Sequence, residues 1–162
     1  MSGRSRRARS VKRSSKLAAE GIVLETPDLN EPDFGSLTIS RMVAQVLAAV
    51  EGGEPVALIG SSLGAFVAVQ VAVQRPSAAG RLVLLAPALS FGRSERDLGE
   101  AALARWRSSG TLDVFHYGYG RVIPVHYGLY ADAARYDALK ASIAAPVQIF
   151  QWRRDTVVDP LV

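Results

Sequence analysis

The sequence predicts an α/β fold in which a parallel sheet is flanked by helices, and three observations carry that prediction. Short runs dominated by apolar residues recur without polar alternation: Val56-Ala57-Leu58-Ile59, Leu82-Val83-Leu84-Leu85 and Val147-Gln148-Ile149-Phe150. The first two read as strands buried on both faces, the pattern of a parallel sheet with helices above and below, and the third as a further strand of it. Segments with helical periodicity stand between the runs, and alternation of strand with helix implies βαβ units. Glycine and proline mark the boundaries, with Gly52-Gly53 before the first run, Pro76 before the second and Pro146 before the third.

Taken in order, residues 11–20 form a helix stopped by Gly21, and residues 22–25 form a short first strand. Thr26-Pro27-Asp28-Leu29-Asn30-Glu31-Pro32 is turn-rich. Ile39, Met42, Val43, Val46, Leu47 and Val50 follow at spacings that place all six on one helical face, with Thr38 or Ser36 as the cap. Residues 64–74, rich in Ala and Val, form a second helix. Between about residues 89 and 145 the pattern loosens into an insertion between two core strands. There Leu98, Ala102, Leu103 and Trp106 suggest one helix and residues 131–139 another, while the stretch 110–128, rich in Gly and aromatics, reads as irregular. Such an insertion is either a lid that shapes a substrate site or an ordinary connecting layer.

Length and composition limit the possibilities. A chain of 162 residues, 49% apolar and 21% charged, is a single globular domain. Without cysteine it has no disulfide, thiolate metal site or cysteine nucleophile, which fits a reducing, cytoplasmic setting. No apolar run reaches the roughly 18 residues of a membrane span. The formal charge of +4 comes from one end: seven of the nineteen basic residues lie within residues 1–16, leaving twelve against fifteen acidic ones. That basic arm carries no interleaved aromatics and no nucleic-acid fold signature follows it, so it reads as a solvated face, with no nucleic-acid partner expected. Neither a metal-ligand cluster nor a phosphate-binding glycine loop is present, so no cofactor and no metal is expected.

The most specific signal is Gly60-Ser61-Ser62-Leu63-Gly64, a G-x-S-x-G sequence with a buried strand before it and a helix after it. A serine on a sharp strand-to-helix turn has a strained backbone and needs small neighbours, which Gly60 and Gly64 supply. Its hydroxyl then projects from the carboxyl edge of the sheet. The helix beneath offers free N–H groups and a positive dipole to a developing oxyanion. Ser61 is the other serine at the turn, but only Ser62 fits the central position. The Leu63 N–H becomes the first oxyanion donor.

With these residues the chain resembles the α/β-hydrolase superfamily, and within it the small bacterial single-domain esterase-type serine hydrolases. Residues 26–30 are similar to the loop after the family's fourth strand, 58–64 to the fifth strand and elbow, 82–88 to the sixth strand, and 149–158 to the seventh strand and its loop. The resemblance implies a hydrolase acting on ester or related acyl bonds of a small-molecule substrate. In it Ser62 is the nucleophile and Asp155, in Arg153-Arg154-Asp155-Thr156-Val157-Val158, is the acid that orients a histidine, with Asp159 as fallback.

The chain also departs from the family. Gln151-Trp152 stands where the family often has His-Gly. The family's order is serine, acid, histidine, yet no histidine follows Asp155, and His116 and His126 both precede it. Nothing resembles the family's third strand, whose loop gives the second oxyanion donor, nor its last strand and helix. The sequence therefore reads as the middle of a hydrolase, shortened at both ends, with either a direct pairing of strand 22–25 to the elbow strand or exposed sheet edges. A non-catalytic remnant serving as a binding module is the alternative.

Overall fold

In the computed structural model, residues 15–93 and 98–152 are described. The elements in chain order are α1 (Ser15–Ala19), α2 (Ile39–Ala49), β1 (Val56–Ser61), α3 (Leu63–Gln74), a 3-10 turn (Pro76–Ala78) and β2 (Ala79–Leu85). They continue with α4 (Glu100–Ser109), β3 (Thr111–His116), β4 (Arg121–His126), α5 (Gly128–Ala133) and β5 (Val147–Phe150).

The periodic segment after Thr38 folds as expected. The Thr38 hydroxyl accepts the Arg41 N–H at 3.2 Å, and Ile39, Met42 and Val43 turn inward. Helix α3 is apolar nearly all round, as a helix enclosed on every side must be, and residues from Ala65 to Ala72 are buried. It lies between the sheet and α2. Strands β1, β2 and β5 form a parallel sheet in that order, the arrangement the βαβ alternation predicts.

Strands β1 and β2 are nevertheless covered on one face only, and β5 is exposed on both, with Val147 and Ile149 on the face that α3 covers in β1 and β2. Register puts Leu58, Leu82 and Val147 side by side, and likewise Gly60, Leu84 and Ile149. Leu58, Leu82 and Leu84 are buried beneath α3, whereas Ile59 on the opposite face is 59% exposed and Phe150 46%. The expectation of strands buried on both faces is thus corrected: among the described residues α3 packs on one face of β1 and β2, with α2 behind it.

A second correction concerns residues 22–25, which form no strand; Ile22 and Val23 are exposed. A strand needs a partner to satisfy its backbone groups, and β1 pairs with β2 alone, so its other edge is free among the described residues. Of the two expected arrangements, direct pairing with residues 22–25 or an exposed edge, the described residues show the exposed edge. Helix α1 occupies the described part of the predicted 11–20 helix. Gly21, at φ +70°, ends it by donating to the Ala18 carbonyl while Ile22 donates to Leu17.

The insertion falls where the sequence places it, between β2 and β5, but part of it is more regular than expected. Residues 111–126, read as irregular within 110–128, form an antiparallel hairpin. Leu112, Val114 and His116 alternate along β3 with outward residues, and Val125 and Ile123 oppose the first two. Pro124 is tolerated because each strand of a two-stranded sheet is an edge. Trp106 of α4 is buried against the hairpin and donates its indole N–H to the Val125 carbonyl at 2.9 Å. The second helix of the insertion runs over Gly128–Ala133, ahead of the predicted 131–139. Its Asp132 accepts from the Ser40 N–H at 2.6 Å and the Ser40 hydroxyl at 2.7 Å, which fastens the insertion to the first turn of α2.

Candidate active site

Ser61 ends β1 and Leu63 begins α3, so Ser62 alone makes the turn between strand and helix. Its backbone sits at φ 50°, ψ −118°, a region that non-glycine residues enter at a cost of about 1–3 kcal/mol. The carboxyl edge of the sheet holds it there. The Ser62 N–H donates to the Leu85 carbonyl at 2.9 Å, and the Ser62 carbonyl accepts from Ala65 at 3.1 Å and from Ala88 at 3.3 Å. Ser62 is half-buried, and its hydroxyl makes no capping hydrogen bond to α3. Ser61 is exposed as the last residue of the strand.

The two glycines of the elbow do different work. A Cβ on Gly60 would meet the Gly64 carbonyl oxygen and stand 2.6 Å from the backbone N and Cα of Ala65, whereas one on Gly64 would meet nothing within 4 Å. Gly60 lets the first turn of α3 cross closely over β1; the expectation that both glycines are needed for space holds for Gly60 only. At the helix start, Ala65 and Phe66 both donate to the Ser62 carbonyl. The Leu63 and Gly64 N–H groups have no partner among the described residues, so they point a positive helix end toward the region of the serine.

Asp155, the fallback Asp159, and Arg153 and Arg154 lie outside the described residues. Strand β5 does run parallel to β1, and Phe150 pairs with Leu85, which pairs with Ser61, so the chain leaves β5 at the serine's edge of the sheet. An open cleft of about 330 Å³ at that exit is lined by Ile149, Phe150, Gln151 and Trp152 but not by Ser62.

His116 belongs to the hairpin tip. Its Nδ1 accepts the Tyr119 N–H at 3.1 Å, its ring stacks on Tyr119 at 4.0 Å, and Phe34 meets it edge-on at 4.5 Å. His126 is an exposed residue at the end of β4 whose backbone N–H donates to Gly35 at 2.8 Å. No hydrogen bond links either imidazole to Ser62. Among the described residues no group of three His, Asp or Glu side chains could hold a metal ion, and no helix is long and apolar enough to cross a membrane.

Sequence reading missed the support of the elbow by residues 85–88, since hydrogen bonds between main-chain groups leave no residue-type signature. One visible cue was Pro87, which restricts the backbone just before it.

This arrangement is the α/β-hydrolase fold, a parallel sheet flanked by helices with a serine at a strand-to-helix elbow. The chain belongs to the uncharacterised protein family UPF0227, whose model matches residues 2–160. It is similar in structure to a putative hydrolase from Agrobacterium vitis S4, at 26% identity and TM-score 0.61 over 75% of this chain and 51% of that one. It is also similar to the alpha/beta hydrolase domain-containing protein 10 from mouse, at 21% identity and TM-score 0.62 over 86% and 56%. A third similar structure comes from the metagenome-derived lipolytic enzymes LipS and LipT, at 25% identity and TM-score 0.63 over 89% and 66%. The chain thus spans about half to two-thirds of the length of these relatives. No curated protein matches it.

Proposed function

We propose that this chain carries the nucleophile-bearing part of a serine hydrolase that acts on ester or related acyl bonds of small molecules. One observation carries the reading: Ser62 holds a strained φ of 50° at the strand-to-helix turn, beside helix N–H groups that have no partner among the described residues. Few structural needs explain a non-glycine residue there, and strain of this kind concentrates at functional sites. In the proposed chemistry the Ser62 Oγ attacks the acyl carbon, and its proton passes to a base. The carbonyl oxygen becomes an oxyanion facing the Leu63 N–H. Collapse expels the alcohol, which takes the proton, and water then releases the acyl group from Ser62 by the same steps. Asp155, five residues after β5 in sequence, is the proposed acid that orients the base, a reading supported by the end of β5 at the serine's edge of the sheet.

The base is the piece that neither histidine supplies in place. We propose that it, and a second oxyanion donor, come from further polypeptide, in keeping with the greater length of the solved relatives. Loss of one oxyanion donor costs about 10²–10³ in rate. Because donor and base act on the same step, their losses do not multiply. The reading of a non-catalytic binding module is favoured by the placement of His116 and His126 alone.

Short-chain aryl esters assayed with the 162-residue chain should give at most weak turnover. Longer polypeptides read from the surrounding frame should give robust turnover that Ser62→Ala abolishes. Robust turnover by the 162-residue chain that disappears in Ser62→Ala would return His116 and His126 as candidate bases. Turnover insensitive to Ser62→Ala in any length would end the nucleophile assignment.

A further inference from the structure

Among the described residues two non-glycine positions have positive φ, Ser62 at 50° and Ala86 at 42°. They are far apart in sequence and adjacent in space, since Ser61 and Leu85, the residues before them, are partners at the ends of β1 and β2. Two hydrogen bonds join the two strained turns, and a third ties the second turn to β5. Ser62 N–H donates to Leu85 at 2.9 Å, Ala88 N–H donates to the Ser62 carbonyl at 3.3 Å, and Ala86 N–H donates to the Phe150 carbonyl of β5 at 2.8 Å.

We propose that Ala86 is a positioning residue for Ser62. A strand that continued straight past Leu85 would carry the Ala88 N–H away from the elbow. The left-handed step at Ala86 turns the chain back, so that residues 85 and 88 grip the N–H and the carbonyl of the same serine. Pro87 then fixes the exit: its own φ is locked, it bars the residue before it from ordinary helical backbone, and it is fully buried. Ala86 is itself nearly buried, at 9% exposure, so its methyl is packed while its backbone is strained. A strained conformation persists only where its surroundings over-determine it. Here each strained residue is part of what holds the other, and β5 anchors the pair. The serine hydroxyl and the Leu63 N–H thereby keep a fixed relation, which an oxyanion donor must have before the reaction begins.

This inference rests on the hydrolase reading for its catalytic meaning, but the clamp can be measured without turnover. The variant Ala86→Gly keeps the turn accessible, because glycine enters positive φ freely, and removes the restriction that holds it there. Amide hydrogen exchange of the 162-residue protein should show Ser62 and Ala88 exchanging at least about tenfold faster in Ala86→Gly, with the amides of α3 from Val67 to Gln74 unchanged. In whichever polypeptide turns over aryl esters, the same variant should lower kcat about tenfold and leave KM unchanged. Unchanged exchange at Ser62 and Ala88, or faster exchange spread evenly through α3, would overturn the proposal, as would a fall in kcat/KM carried by KM. Turnover that survives Ser62→Ala would defeat the catalytic reading while the exchange data still decided whether the clamp exists.

Discussion

The two faces of the β1–β2 pair are made from similar residues and meet different surroundings. On one, Leu58, Leu82 and Leu84 lie beneath α3, each at 9% exposure or less; on the other, Ile59 stands more than half exposed and Val83 and Leu85 are half-buried, while β5 is exposed on both of its faces. Strand chemistry therefore does not decide which face is covered; the helices do. Apolar residues on both sides of a strand record a requirement for cover on both sides, and among the described residues α3 meets it on one face of β1 and β2. The same asymmetry runs through the elbow, where Gly60 faces the covered side under α3 and the catalytic chemistry proposed for Ser62 faces the sheet's carboxyl edge.

Deep truncation on the covered side gives the largest expected effect. Phe66→Ala, at a fully buried site, should cost about 3–5 kcal/mol, and Leu84→Ala about 2–5 kcal/mol, in urea unfolding. A loss below about 1 kcal/mol at both would mean that this face is not the core. The next effect separates two glycines four residues apart. Gly60→Ala forces a methyl into main-chain atoms that have no room to retreat, and should cost about 1–3 kcal/mol or more. Gly64→Ala should be near neutral in stability, because its Cβ meets open space and alanine suits a helix.

A smaller effect belongs to the open face. Ile59→Thr keeps a β-branched side chain and should change stability of the 162-residue chain by no more than about 0.5 kcal/mol. A cost comparable to that of Leu84→Ala would show that the face is covered in solution, and concentration-dependent unfolding would show that a second chain covers it. Asp33 gives the smallest effect. Hydrogen bonds from the Ser36 hydroxyl and N–H, with Arg41 nearby, hold its carboxyl below the ordinary carboxylate value. A lowered carboxyl stabilises the fold while ionised, so its contribution is full above the ordinary value of 3.8 and fades as pH falls through the lower folded value. The urea midpoints of wild type and Asp33→Asn should therefore differ slightly near neutral pH and converge on acidification below 3.8. A difference that grew on acidification would reverse the sign of that argument.

Features that repeat locally were legible in the sequence. The face of Ile39, Met42 and Val43, the all-apolar α3 and the three sheet strands each announce themselves by period or by run. So did the elbow, where Gly60 and Ser62 stand at the positions the turn requires. Features that depend on a distant partner were not legible. Residues 22–25 have strand-like composition, yet among the described residues they pair with no strand and leave an edge of β1 open. The β3–β4 hairpin was hidden because Pro124 and the glycines of its turn argue against a strand, while its alternation is weak until Trp106 is seen packed on it. The hold of residues 85–88 on Ser62 consists of main-chain hydrogen bonds, which residue identity does not encode.

The central claim is that Ser62, and not its neighbour Ser61, is the nucleophile. It is tested most directly by treating polypeptides extended through the surrounding reading frame with a fluorophosphonate and locating the adduct by peptide mass spectrometry. The account predicts a single adduct on Ser62, formed at a rate that Ser61→Ala leaves within about twofold and Ser62→Ala removes. An adduct on Ser61, or a polypeptide that hydrolyses aryl esters while Ser62 stays unmodified, would contradict it.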